Sequence, residues 1–198
     1  MAELPTEFNS DKKDSKTSID KELLESRIIM LSGSIDDRQA HTVIGQLLVL
    51  DQRSPEEPIT LIINSGGGAI SSGFAIYDTI QLLRAPVRTI GAGLIASMGV
   101  TIFLAATKEN RFSLANSRFM IHQPLISGTV VAPASDVEIN AREMIKLRDR
   151  LNSLIADASG QPLTRVETDT QRDYWMAANE AMEYGIVGKV IGHWTDLQ

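Results

Sequence analysis

The chain has 198 residues, 43% hydrophobic and 22% charged, with a net charge of −6 and an isoelectric point near 5.1. Those values fit one globular domain with a real core. The acidity, with Lys12, Lys13 and Lys16 interleaved among acids, excludes nucleic acid as the main partner. Cysteine is absent, which excludes disulfides, a thiol nucleophile and thiolate metal sites, and no apolar run is long enough to span a bilayer.

Residues 1–20 are polar, Asn9 to Ser15 above all, and are expected to form a mobile segment that buries too little to offset its ordering entropy. They lack the apolar core of a signal peptide, so the expected location is cytoplasmic. Residues 21–198 are expected to form a single domain, ordered from about Leu23.

From there strands and helices alternate. Ile28-Ile29-Met30-Leu31 reads as a strand, and Asp36 as the N-cap of a helix carrying Ala40, Val43, Ile44 and Leu47 at helical spacing. Ile59 to Ile63 is a second buried strand, ending at Gly66-Gly67-Gly68. Ile76, Ile80 and Leu83 mark a helix stopped by Pro86. Val87 to Ile90 is a third strand, leading to Ser97, and Val100 to Ala106 resumes a helix. Continuous apolar strands alternating with helices indicate an α/β domain with a mostly parallel sheet.

The longest predicted helix starts at Ser135, where Ser135-Asp136-Val137-Glu138 reads as a capping box, and stops at Gly160. It would run roughly 36 Å. Val137, Ala141, Met144, Ile145, Leu147, Leu151, Leu154 and Ile155 cover about half its circumference, wider than the stripe of an ordinary surface helix. Such a helix either crosses the core or buries a second face against another subunit.

Three motifs carry chemistry. Gly93-Leu94-Ile95-Ala96-Ser97-Met98-Gly99 puts a serine at a strand-to-helix corner, and Met120-Ile121-His122-Gln123-Pro124 puts a histidine at a strand end. Serine is a poor nucleophile until a base takes its proton, which a neutral imidazole does at physiological pH. The free amides of a helix start and of Gly67 and Gly68 suit developing negative charge. Each motif alone has an ordinary structural reading, as do His41 and His193. An acid must orient the imidazole, and residue types alone leave Asp169 and Asp173 both open. Neither a metal motif nor a P-loop is present, and no cofactor is expected.

These runs resemble the ClpP family, the proteolytic subunit of the ATP-dependent Clp protease, and the likeness extends from about Ile28 to Val190. It implies a crotonase-like spiral of βαβ units with a protruding long handle helix joining two rings. It also implies a serine endopeptidase of protein quality control, with Ser97 as nucleophile, His122 as base, Asp173 (second aspartate of D-T-x-R-D) as acid, and the amides of Gly68 and Met98 as oxyanion hole. Implied partners are further copies, as heptameric rings stacked into a tetradecamer, an AAA+ Clp ATPase, and unfolded polypeptides. Nucleic acid and membrane are not implied.

Several positions depart from the family pattern. Gly66 replaces a proline, and Ile95 replaces a smaller alanine. Leu125 to Pro133 replaces a glycine- and glutamine-rich strand. Thr60 and Ile62 stand where aromatic residues commonly build the ATPase docking pocket. The departures suggest a divergent paralogue working in mixed rings with a second ClpP. Two other readings are a weakly active scaffold or regulatory subunit, and a crotonase-like acyl-CoA enzyme.

Overall fold

The structure, a computed structural model, describes residues 19–125 and 131–197. The mobile segment expected over residues 1–20 lies outside them except for Ile19 and Asp20, which begin the described stretch in helical conformation. Five strands run β1 (Ile28–Ile35), β2 (Ile59–Gly68), β3 (Val87–Ala96), β4 (Arg111–Leu114) and β7 (Lys189–Ile191) across one parallel sheet. β3 changes neighbour part way along. Its first half pairs with β4, and its second half pairs with β5 (Arg118–Ile121), again parallel. β5 then carries β6 (Tyr174–Ala177) antiparallel on its other edge.

The helices are α1 (Asp37–Arg53), α2 (Ile70–Leu82), α3 (Met98–Phe103), α4 (Ala134–Ser159), α5 (Leu163–Asp169) and α6 (Ala178–Tyr184). Strand-crossover-strand connections of this kind give the α/β spiral, and parallel strands covered by helices read as unbroken apolar runs. The main core joins Leu31, Leu61 and Ile63 of the sheet to Leu47, Ile76, Ile102 and Phe103 of the helices. Phe103 and Phe119 meet edge to face at 5.3 Å between centroids. On the opposite face, Ile62, Ile90 and Phe112 share one cross-strand row and build a smaller cluster with Ile191 and Leu197.

Capping follows the sequence at α1, where Asp36 accepts from the Gln39 N–H at 2.8 Å. It does not at α4. The expected capping box at Ser135 is not formed. The helix begins one residue earlier behind Pro133, whose carbonyl accepts from Asp136 and Val137, while the Glu138 carboxylate turns forward to Arg142 at 2.6 Å. Proline preceding the first turn suits a helix start without a side-chain cap. Gly160 ends the helix in left-handed conformation (φ 76°).

Two further boundaries differ from expectation. β2 runs on through the glycines, because Gly67 and Gly68 remain paired with Ser34 and Ile35 of β1. α3 starts at Met98 rather than Val100 and stops at Phe103.

At 26 residues α4 is about 39 Å long. It is buried only toward its C-terminal end, at Leu151, Asn152, Ile155, Ala156 and Ser159. Residues 131–143 are all exposed, and Ile139 (58%) and Ile145 (49%) face outward. The helix is a projecting handle and not a core helix. The strand expected after His122 falls largely on residues 126–130, outside the described residues.

Two polar clamps hold α1. The Arg27 guanidinium donates to the carbonyls of Leu50, Ser54, Glu57 and Pro58, tying the C-terminal end of the helix to the start of β2. Asp51 is buried and accepts from the N–H groups of Arg84 and Ala85, each at 2.9 Å, and from the Arg84 guanidinium at 3.0 Å. The Ala85 N–H, opposed by burial and helped by Arg84, holds its carboxyl below the ordinary value of 3.8. A depressed folded pKa stabilises above the unfolded value and is lost as pH falls through the folded one. Asp51→Asn is therefore expected to lower the melting temperature at pH 7, with a gap to wild type that narrows as pH falls below about 4. Thermal unfolding across pH 3 to 7 checks this.

Candidate active site

Strand register places the site. β3 ends at Ala96, opposite Met120 of β5, so Ser97 stands beside Ile121, and its N–H donates to the Met120 carbonyl at 2.9 Å. β5 ends at Ile121, opposite Tyr174 of β6, so the next residues along, His122 and Asp173, face each other. Three side chains from three adjacent strand ends then meet in line. His122 Nε2 lies 2.9 Å from Ser97 Oγ, and His122 Nδ1 lies 3.1 Å from Asp173 Oδ1. The Gln123 N–H donates to the Thr170 carbonyl at 2.7 Å and fastens the His122 strand end to the loop bearing Asp173. The His122 side chain is mostly covered, whereas that of Asp173 is 59% exposed.

The same register separates the two aspartates. Asp169 closes α5, accepts from the Tyr184 hydroxyl at 2.9 Å and sits 3.5 Å from Arg165. Burial, reinforced by that hydrogen bond, pushes the Tyr184 phenol well above its ordinary value. Asp169 is thus committed to a structural network away from His122. His41 is exposed on α1, and the exposed His193 donates its N–H to Asp196. Neither histidine joins the site.

Ser97 turns the chain from strand to helix with φ 54° and ψ −124°, a region that L-residues rarely occupy and that costs about 1–3 kcal/mol. The glycine run makes this corner possible. A Cβ on Gly67, which has φ 96°, would come within 2.6 Å of Ser97 Cβ, and a Cβ on Gly68 would overlap the Ile35 backbone. Gly66 differs, since its Cβ would meet only Leu94 at 3.8 Å. The position that departs from the family pattern is the one with room.

Ser65, which the motif reading passed over, fixes this run. Its buried hydroxyl donates to the Gly33 carbonyl at 2.6 Å and accepts from the Gly67 N–H at 3.1 Å. A serine immediately before a glycine turn is the signal that could have found it. Met98, as the first residue of α3, has an N–H without an intrahelical acceptor. Gly67 packs against that N–H. Ile95 is fully buried in the core, where Gly91 leaves space for it beside Phe119.

A groove of about 830 Å³ runs past Ser97 and His122, walled by Gly68, Ile70, Phe74, Leu125, Met144 and Leu147. Its size suits an extended ligand. Among the described residues there is no cluster of three or more side chains able to hold a metal, and no helix long and apolar enough to cross a membrane. The arrangement can deprotonate a hydroxyl and present backbone N–H groups beside it, which is the equipment for acyl transfer.

Comparison with known proteins agrees with this chemistry. Residues 11–193 match the profile of the Clp protease family. The chain is 48% identical over 170 residues to the ATP-dependent Clp protease proteolytic subunit 3 of Synechococcus sp. (strain CC9902), covering 86% of this chain and 84% of that one. A solved ClpP1 point mutant from Listeria monocytogenes is similar with a TM-score of 0.82 at 43% identity, covering 91% of this chain and 99% of the other. The chain belongs to the Clp protease family.

The three glycines are expected to differ under substitution. Gly67→Ala and Gly68→Ala should each destabilise the fold by at least about 1 kcal/mol and abolish fluorophosphonate labelling of Ser97, while Gly66→Ala should label normally. Denaturant unfolding alongside a labelling gel separates them.

Proposed function

We propose that Ser97, His122 and Asp173 are the catalytic triad of this peptidase and that the N–H groups of Gly68 and Met98 form its oxyanion hole. Membership of the Clp protease family makes the chain a serine-type proteolytic subunit. The observation that carries the residue assignment is the continuous line Ser97 Oγ, His122 Nε2, His122 Nδ1, Asp173 Oδ1 with both gaps at hydrogen-bond length.

In the proposed cycle His122 takes the Ser97 proton as Oγ attacks the scissile carbonyl, then gives it to the leaving amine. Asp173 accepts from Nδ1–H, which leaves Nε2 free as the base and stabilises the imidazolium. The oxyanion develops toward the start of α3, where the Met98 N–H and the positive end of the helix lie, with Gly68 opposite. Loss of one such donor typically costs about 2.7–4 kcal/mol of transition-state stabilisation.

The substrates we propose are unfolded polypeptides admitted by an AAA+ Clp ATPase, with peptide bonds cut inside heptameric rings stacked as a tetradecamer. The relative named as a subunit of an ATP-dependent protease supports this, as does the uncovered apolar length of α4. The apolar row of Met30, Ile62, Ile90 and Phe112 supports docking on that sheet face, since Met30 there is 46% exposed. Thr60 is buried and Ile62 packs into the small cluster, so these two positions bring no aromatic ring to the face. Mixed rings with a second ClpP fit that altered chemistry. A cytoplasmic location fits the cysteine-free chain.

Ser97→Ala is expected to lose essentially all peptide turnover and fluorophosphonate labelling, a fall of about 10⁴-fold or more, with native mass unchanged. Equal turnover in both proteins would refute the assignment. Absence of labelling in the wild-type chain, alone and mixed with a second ClpP, would favour the scaffold reading instead. Turnover of acyl-CoA thioesters without peptide hydrolysis would mark an acyl-CoA enzyme.

A further inference from the structure

β7 is an edge strand of the sheet, paired with β4. After it the chain passes the exposed Gly192 and His193 and folds back as a short 3₁₀ turn, Trp194–Leu197. Trp194 at the head of that turn is exposed, whereas Leu197 at its end is buried. Leu197 joins the small cluster of Ile90, Phe112 and Ile191, with Ile62 packed against it, on the sheet face away from the main core. Those partners all come from strands, and Leu197 is the one member of the cluster supplied from outside the sheet.

The same face carries the apolar row of the proposed ATPase docking. Strand register runs it from Met30 through Ile62 and Ile90 to Phe112, and Leu114 stands on the same side two residues further along β4. Its ends are open, since Met30 and Leu114 are exposed, while Ile90 and Phe112 are buried in the cluster with Leu197. One leucine thus closes the middle of a surface whose ends face out.

The turn is fastened to itself and to β7 rather than to that face. The Asp196 carboxylate accepts from the N–H groups of Gly192 at 3.0 Å and His193 at 2.9 Å, and the Asp196 N–H donates to the His193 carbonyl at 3.0 Å. The Lys189 ammonium donates to the Asp196 carbonyl at 2.9 Å. These bonds close within residues 189–196, and among the described residues no hydrogen bond joins the turn to β3 or β4. What holds the turn on the face is the burial of one leucine, which favours the closed position over an open one by roughly ten- to a hundredfold. Segments held by so few apolar contacts are the first of a fold to open.

We propose that the turn Trp194–Leu197 is a displaceable latch, with Leu197 as the resident occupant of the docking row and an aliphatic side chain of the partner as its competitor. The proposal rests on the reading that a Clp ATPase docks on this face. A slot shaped by Ile90, Phe112 and Ile191 around a leucine accepts another branched aliphatic group with the least repacking. Swinging the turn out also takes the Asp196 carbonyl from Lys189, so the ammonium stands free at the rim for a carbonyl or carboxylate of the incoming loop. A face that is open for a small fraction of the time binds with its affinity reduced by that fraction. Leu197 therefore sets how tightly the partner is held without entering the groove at Ser97.

The test uses the assembled full chain. Leu197→Ser removes the occupant, Asp196→Ala loosens the turn without touching the cluster, and Met30→Glu puts a charge on an open end of the row. Circular dichroism and fluorophosphonate labelling of Ser97 verify that each variant is folded. One readout is the fluorescence of bis-ANS, a dye that lights up on exposed apolar surface. The other is the affinity of a purified AAA+ Clp ATPase for the immobilised chain. Leu197→Ser is expected to raise both about tenfold and Asp196→Ala about threefold, while Met30→Glu added to Leu197→Ser should reverse the gain in ATPase affinity. Should Leu197→Ser unfold, Asp196→Ala decides alone. No rise in dye signal in the folded latch variants overturns the latch. ATPase binding that falls with Met30→Glu, yet is unchanged or weaker in the latch variants, also overturns it and leaves docking on this face standing. Binding that is absent, or indifferent to Met30→Glu and the latch variants alike, overturns the docking reading and the latch with it.

Discussion

The site depends on one strained corner. Ser97 holds φ 54° where β3 turns into α3, and nothing local favours that conformation. It is imposed from three sides. The Ser97 N–H is bound to Met120 of β5, the Ser97 carbonyl starts the α3 hydrogen-bond ladder, and the bare backbone of Gly67 allows the glycine run to press against the serine. Relaxing the turn would swing the hydroxyl away from His122 and the Met98 N–H out of line. The strain is offset by ladder pairing of β2, β3 and β5, which reaches fully buried core on either side of the corner. The positions of the Ser97 hydroxyl, the Met98 N–H and the His122 imidazole are therefore one property of the sheet rather than three.

How much of this was legible in the chain varies by element, for physical reasons. β3 and β5 announced themselves as apolar runs ending at Ser97 and His122, because buried parallel strands carry no alternation to confuse the reading. β2 was cut short at the glycines, since Gly66-Gly67-Gly68 has no side chains to signal pairing and only the partner strand β1 reveals it. At α4, Ser135 and Glu138 have the right spacing for a capping box, yet Pro133 sets the start and Arg142 takes the glutamate. Local sequence cannot rank those competitors. The register that sets Asp173 opposite His122, and leaves Asp169 to Tyr184, is a long-range fact. Residue types left both aspartates open, and only the family pattern chose between them.

The proposed triad is graded in its wetness. Ser97 and His122 are largely covered, whereas the Asp173 side chain is more than half exposed at the loop leading into β6. Water and salt weaken an exposed charge far more than a covered one, so its electrostatic support of an imidazolium is the softest of the three contributions. Its orienting hydrogen bond does not suffer in the same way, because the Gln123 tie to Thr170 sets the geometry through the backbone. In the proposed triad Asp173 therefore acts first by fixing the ring, and its charge gains weight only as water is removed from that edge.

α4 ties these features to the outside of the molecule. Met144 and Leu147 wall the groove, and Leu151 and Ile155 line a small hollow beside Ser97 and His122, a set spaced by three and four residues that forms one stripe. Ile145 lies one residue, about 100°, round the axis from Met144 and is exposed. The half-circumference of apolar residues thus resolves into a groove-facing stripe on the buried end and an uncovered surface on the projecting end. A helix transmits axial rotation and translation along its whole length, since its hydrogen bonds join every turn to the next. Contacts made by the projecting end and the shape of the groove wall are consequently set by the same rigid body.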